Sequence, residues 1–180
     1  MRLLAWGISI ILGTSAAAVA CDLPATGDMT KAGFVKPVEG DLIAAFGVMV
    51  HPILRYARPH NGIDFAAAIG TPVAATLGGR IAEAKYKGEF GNFIQIDHGG
   101  GVASSYSHLS RYQAGIEEGA CVRTGDVIGF VGNTGLSAGP HLHFQIMNGL
   151  NGVRAIDPAP LLGIAVPPQA QGRAMPPPKP

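Results

Sequence analysis

The sequence predicts an all-β domain built from short antiparallel strands. Glycine is abundant, 26 of 180 residues, and recurs between short apolar runs, as tight turns between strands require. The segment Phe93-Ile94-Gln95-Ile96-Asp97 alternates in polarity and runs into Gly99-Gly100-Gly101, a turn signal. No long stretch keeps a helical period, because glycines break most windows that would otherwise qualify.

In chain order, the first segment reads as an address. Arg2 is the only charge before Asp22, and Leu3 to Leu12 is apolar except for Gly7 and Ser9. Ala18-Val19-Ala20 supplies the small residues a signal peptidase reads. Residues 1–20 are therefore expected to be an export signal, with an apolar core too short to favour a spanning helix. Cleavage after Ala20 makes Cys21 the first mature residue. Cys21 has two readings. It is a lipidation site, although Ala18 stands where Leu is usual, or it pairs with Cys121, the only other cysteine. The disulfide is preferred, because two cysteines in an exported chain suit one bond in an oxidising compartment.

Residues 21–35 read as an N-terminal arm of mixed composition. Leu42 to Phe46 suits the start of a short turn. Strands are expected at Arg80–Ala84, at 93–97 with Val102–His108 as its hairpin partner, at Val127–Val131 and at Leu142–Met147. Beyond Asp157 the chain crowds with proline: Pro158, Pro160, Pro167, Pro168, Pro176, Pro177, Pro178 and Pro180. Such a stretch rarely buries a core, so residues 163–180 are expected to be a disordered tail and 36–162 one folded domain.

Without Arg2, the 13 basic residues become 12 against 12 acidic, so the mature chain is formally neutral. It has no basic stripe for nucleic acid and no polybasic patch for anionic lipid. The cysteines lack the CxxC spacing of a metal site. The chain also lacks the Gly-x-Ser-x-Gly elbow of serine hydrolases and the Gly-Lys-Ser/Thr of phosphate loops.

The chemistry concentrates in histidines. In a strand, alternate side chains share a face, so His141 and His143 point the same way while Leu142 and Phe144 turn to the opposite, buried side. His60 and Asp64 are spaced i, i+4, and a regular strand would hold them roughly 13 Å apart. A bend or bulge at Gly62 would bring both to one ion. Taken alone, the pair fits a turn better, with Asp64 bonded to nearby backbone N–H groups. Tyr106 and His108 share a face if their strand is regular, and His108 could then position a water or donate to an oxyanion. His51, before Pro52, and His98, before the glycine turn, read as surface or structural residues.

Taken together, the motifs resemble the zinc metallopeptidase family typified by lysostaphin and the LytM-type peptidoglycan endopeptidases, family M23. The resemblance runs from about Gly40 to Asp157. It rests on Phe46-Gly47, His51-Pro52-Ile53, His60-Asn61-Gly62-Ile63-Asp64, Gly70-Thr71-Pro72-Val73 and Gly91-Asn92. Tyr106-Ser107-His108-Leu109, Gly125-Asp126, Val127-Ile128-Gly129, Gly132-Asn133-Thr134-Gly135 and Gly139-Pro140-His141-Leu142-His143-Phe144 follow in family order. The resemblance implies an antiparallel β-sandwich or sheet of the lysostaphin type, with the site in a groove between loops. It implies that His60, Asp64 and His143 are the Zn2+ ligands and that His108 and His141 are the catalytic pair. It also implies hydrolysis of a peptide bond in peptidoglycan stems or cross-bridges. With the export signal, the chain is expected to be a monomer of the periplasm or cell envelope.

Two departures stand out. Gln145 replaces a Glu frequent in the family, removing a carboxylate behind the site. Cys121 occupies a turn that is usually cysteine-free. Tyr56 resembles a tyrosine that serves some members just before the first ligand. Two rival functions fit the same motifs: a non-catalytic wall-binding activator of other hydrolases, and a zinc peptidase acting on glycine-rich, elastin-like protein chains.

Overall fold

The computed structural model describes residue 21, residues 32–148 and residues 154–171. The export signal expected at 1–20, most of the arm and the last nine residues lie outside the described residues. The first strands are β1 (Asp41–Ala44), β2 (Gly47–Val50), β3 (Ala57–His60), β4 (Ile63–Ala66) and β5 (Pro72–Ala74). They are followed by β6 (Gly79–Tyr86), β7 (Asn92–Asp97), β8 (Val102–Leu109) and β9 (Arg111–Tyr112). The last are β10 (Cys121–Val122), β11 (Val127–Phe130), β12 (His141–Asn148) and β13 (Arg154–Ile156). The main sheet runs β1-β4-β12-β8-β7-β6-β10, with β13 also on β12. A smaller sheet is ordered β5-β11-β9, and β2 and β3 form a separate hairpin. Neighbouring strands pair antiparallel throughout.

The strands expected from alternation are present: four extend one to three residues past their sequence signal, and β11 stops one residue short, at Phe130. Their apolar faces meet in one core. Leu142, Phe144 and Ile146 of β12 join Ile63 and Phe65 of β4, Ile94 and Ile96 of β7, and Val73 and Ile128 of the smaller sheet. Burial of such side chains contributes about 1.5–3 kcal/mol each, and it fixes the register, since a one-residue slip would turn each apolar set outward.

Two local expectations give way to tertiary pairing. Leu42 does not open a turn: it lies in β1, opposite Phe65, with a bulge before Ala44. The edge of β4 supplies a ladder that local propensity cannot anticipate. Nor is the described part of the expected tail, residues 163–171, without structure. Pro168–Ala170 form a 3-10 turn, Ala170 is buried, and its carbonyl accepts the Ala45 N–H at 3.0 Å. Proline does not obstruct this contact, because what the segment offers is a carbonyl.

At the other end of the body, Cys21 and Cys121 form a disulfide with Cα atoms 5.3 Å apart. A sulfur in that bond is not available to a lipid. The end of the arm continues onto the core, where Val35 and Thr76 exchange hydrogen bonds and Phe34 packs edge-on to His98. None of the helices among the described residues is long and apolar enough to cross a membrane.

His98 has the structural place expected of it. It is fully buried, with Nδ1 2.9 Å from the Gly78 carbonyl and Nε2 2.8 Å from the Ser104 hydroxyl. The Tyr106 hydroxyl continues the chain, 3.0 Å from Ser104 and accepting the Thr76 N–H at 2.8 Å. Burial lowers the His98 pKa more than the Gly78 bond raises it. The folded state therefore prefers the neutral ring more strongly than the unfolded state does. The stability this contributes is present above the unfolded pKa of about 6.5 and is lost as pH falls through the lower folded value. Urea midpoints of the wild type are expected to fall between pH 7 and pH 5 more steeply than those of His98→Gln, and parallel profiles would show that His98 does not carry the dependence.

Candidate metal and catalytic site

The site is built on β3, β4, β8 and β12, where they open onto a groove. His60 ends β3, the chain bends at Asn61-Gly62, and Asp64 lies one residue into β4. The bend meets the requirement set by the i, i+4 spacing. Gly62 is needed there because a Cβ would lie 2.3 Å from the Phe144 carbonyl oxygen and 3.0 Å from the His143 ring. Asp64 stands directly across the ladder from His143, and His141 pairs with Ala66 on the same two strands. Antiparallel pairing thus places residues 79 apart in sequence within contact distance.

His60 Nδ1 is 2.7 Å from the Ala45 carbonyl and so carries the proton, leaving the Nε2 lone pair facing inward. That Nε2 lies 3.1 Å from Asp64 Oδ1 and 3.1 Å from His143 Nδ1, and His143 Nδ1 is 2.7 Å from Asp64 Oδ1. On its far side, His143 Nε2 meets the Gln145 amide at 2.8 Å. The amide nitrogen faces the ring here; turned over by 180°, the amide presents its oxygen, accepts the Nε2–H and leaves Nδ1 as a lone pair. Three electron-pair donors thus converge in a buried spot, and the donor atoms of these residues all lie within 4.8 Å of one another. Two imidazole nitrogens, one carboxylate oxygen and an open side toward the groove fit a catalytic zinc.

The electrostatics favour a cation there. Burial alone would push the Asp64 pKa up, yet the His60 and His143 rings beside it outweigh that and hold it well below the usual carboxylate range. Burial works against charge on His60, but the Asp64 carboxylate outweighs it and raises the pKa. Burial lowers His143 against the pull of the same carboxylate.

His141 and His108 flank these donors. His141 Nδ1 is held by the Gly139 carbonyl at 2.8 Å, and its Nε2 points toward Asp64, 4.0 Å from Oδ1. The His108 ring packs 4.6 Å from that of His141. Burial, reinforced by His141 and His143, pushes the His108 pKa down to about 3, so its ring is neutral. Its Nδ1 donates to the Thr134 carbonyl at 2.8 Å, leaving Nε2 free in the groove.

His108 reaches this place by a route the alternation did not predict. Tyr106 and His108 do not share a face. Tyr106 is in the core, its ring 5.3 Å from Phe144. Between Ile94↔Tyr106 and Asn92↔Leu109, two residues of β8 oppose one of β7. At this bulge His108 takes a left-handed conformation, φ 63°, which turns its side chain out of the core and into the groove. Such a residue costs of order 1–3 kcal/mol, held by its surroundings.

Those surroundings are Thr134 and Asn92, whose roles no local sequence pattern assigns. Thr134 takes the His108 ring on its carbonyl while its hydroxyl donates to the Leu109 carbonyl at 2.8 Å. The Asn92 N–H donates to that hydroxyl at 3.0 Å, and its amide reaches the Leu109 carbonyl at 2.9 Å. Gly91, at φ 65°, lets Thr134 approach, since a Cβ would lie 2.3 Å from its hydroxyl oxygen. The motifs Gly91-Asn92 and Asn133-Thr134 were the available signal. Thr134→Val keeps the shape and removes the hydroxyl, and is expected to slow hydrolysis about tenfold with zinc content unchanged, from the loss of one buried clamp. Thr134→Ser should restore it, and a Val variant as fast as wild type would remove the clamp from the account.

Among the remaining candidates, His51 lines the groove, but its Nδ1 accepts the N–H groups of Ile53 and Leu54, a loop role. Tyr56 is 56% exposed and is not among the groove-lining residues.

The profile of Peptidase family M23 matches residues 58–158, more than half of the chain. The chain belongs to peptidase family M23. Among curated relatives of this M23 chain, the DD-carboxypeptidase/endopeptidase Mpg of Neisseria meningitidis is 46% identical over 137 residues, covering 73% of this chain and 31% of the relative. The chain thus spans about a third of the length of that relative. Among solved structures, the catalytic domain of the antimicrobial peptidase lysostaphin from Staphylococcus simulans superposes with a TM-score of 0.62 at 37% identity, covering 69% of this chain and 92% of that one. A zinc containing peptidase from Vibrio cholerae gives a TM-score of 0.63 at 30% identity, covering 75% and 41%. The M23 fold expected from the motifs is the one observed.

Proposed function

We propose that this M23 chain is an exported zinc metalloendopeptidase that hydrolyses peptide bonds in the stems or cross-bridges of peptidoglycan. The observation that carries this reading is the convergence of His60, Asp64 and His143 on one point with the His108–His141 pair beside it at the groove floor. His60 Nε2, Asp64 Oδ1 and His143 Nδ1 would hold the metal. When bound, zinc supplies the Lewis acidity that activates a water and polarises the scissile carbonyl.

The chain's own residues do the rest. Ala45 fixes the tautomer of His60, and Gln145, with its amide oxygen turned to the ring, fixes that of His143. Thr134 and Gly139 do the same for His108 and His141 and present both Nε2 atoms to the reacting carbonyl. One ring of this pair takes a proton from the attacking water and passes it to the leaving amine. The other hydrogen-bonds the tetrahedral oxyanion. As the C–N bond breaks, a carboxylate and an amine leave. The relatives and solved structures it resembles are peptidases and endopeptidases, which supports this activity class. Export is supported by the sequence of residues 1–20 and by the disulfide, which suits an oxidising compartment.

The test is release of soluble muropeptides from purified sacculi by residues 21–180, with a chelator and with zinc added back, followed by mass analysis. Chelator-sensitive release restored by zinc is the expected result, and the product masses identify the bond. A folded, zinc-loaded protein that releases nothing would overturn the hydrolase reading in favour of an activator.

A further inference from the structure

The groove carries a charged device that hydrolysis itself does not use. Arg58 precedes His60 by two residues on β3, so the two share a face with α-carbons roughly 7 Å apart. Both line the groove, and Arg58 is the one lysine or arginine among its lining residues. Opposite stands Glu89, in the 3-10 turn Gly88–Phe90 that forms another part of the groove lining. Two guanidinium nitrogens approach a single Glu89 oxygen at 3.3 and 3.5 Å, with side chains 35% and 61% exposed. The second Glu89 oxygen takes no part in this contact, so the pairing is long and not bidentate. Exposed pairs of this kind contribute little to stability. A structural salt bridge is thus a poor account of a cation placed beside a metal ligand.

We propose that Arg58 is a specificity residue that binds a free carboxylate on the substrate, one to two residues from the scissile bond. A guanidinium fork matches a carboxylate with two parallel hydrogen bonds, which the present contact with Glu89 does not achieve. An extended peptide advances roughly 3.3 Å per residue, so a chain reacting beside His60 brings a residue adjacent to the cut within reach of Arg58. The incoming carboxylate exchanges with Glu89, and the weakness of the existing pair makes that exchange cheap. Because the bond is made inside the groove, it also orients the chain over the site. The preferred substrate is then a peptide with an unblocked carboxylate flanking the cut, rather than an uncharged run such as oligoglycine. The inference rests on the hydrolase reading above and sharpens its substrate class.

The test uses synthetic peptides containing the bond identified from sacculi. One set carries free carboxylates on the residues flanking the cut, and in the others one or the other carboxylate is a carboxamide. For the zinc-loaded wild type, amidating one of the two positions should lower kcat/KM about tenfold or more, mainly through KM, as expected for a lost charged hydrogen bond. Arg58→Gln should cut the free and amidated peptides at similar, lowered efficiency, and Arg58→Lys should recover part of the preference. Glu89→Gln, which removes the competitor, should lower KM for the free peptide several-fold and leave the amidated one unaffected. Equal efficiency of the wild type on all peptides, or a preference that persists in Arg58→Gln, would overturn the proposal while leaving the hydrolase intact. Failure of the wild type on every peptide and on sacculi would overturn the hydrolase reading and this one with it.

Discussion

Replacing His141 by alanine is expected to leave zinc bound at one ion per chain and to reduce peptide hydrolysis by about a thousandfold or more. The expectation follows from geometry. His141 is held by Gly139, outside the His60–Asp64–His143 donor set, and its Nε2 lies 4.0 Å from Asp64 Oδ1. Its loss removes either a positioned proton carrier or an oxyanion donor, each worth roughly 10²–10⁴ in rate. His108→Ala should behave alike, and the double variant should be hardly slower than either single one, since the two rings act on one reacting carbonyl. Zinc content by atomic absorption, beside muropeptide release, checks the separation. An His141→Ala protein with full activity would remove His141 from the mechanism. One that also loses zinc would make it a ligand.

The second large effect is on the metal. His60→Ala and Asp64→Ala should each weaken zinc binding by at least a hundredfold in chelator competition and abolish hydrolysis, because a three-residue donor set reduced to two no longer closes around the ion. The apo proteins should stay folded, as the core clusters on the opposite face of β4 and β12 from Asp64 and His143. Gly62→Ala should give a milder version of the same defect. A methyl 2.3 Å from the Phe144 carbonyl forces β4 and β12 apart, where the Asp64–His143 pair is made. Unchanged stoichiometry in His60→Ala would overturn its role as a ligand.

These predictions rest unequally on sequence and structure. The alternation in Leu142–Met147 already assigned His141 and His143 to one face, since period 2 is a local property of strands. The bend at Gly62 was required by the His60–Asp64 spacing once a shared ion was assumed, and the resemblance gave that assumption its reason. Tyr106 and His108 show where local reasoning fails. Period 2 put them on one face, and the bulge against β7 put one in the core and the other in the groove. The bulge depends on which residues of β7 and β8 pair, and no window of β8 contains that information. Leu42 and Ala170 fail in the same manner, each drawn into order by a partner distant in sequence.

The sequence by itself determined the strand periodicity, the all-β class, the polar set available for chemistry and the two cysteines available to pair. Those follow from residue identity and spacing, which act over a few residues. The tertiary structure decided the rest. It set the His143–Asp64 contact across the ladder, the left-handed turn at His108 with its Thr134–Asn92 clamp, and the Arg58–Glu89 pair within the groove lining. Each joins groups on different elements, where hydrogen-bond register and core burial, rather than local preference, set which side chains meet.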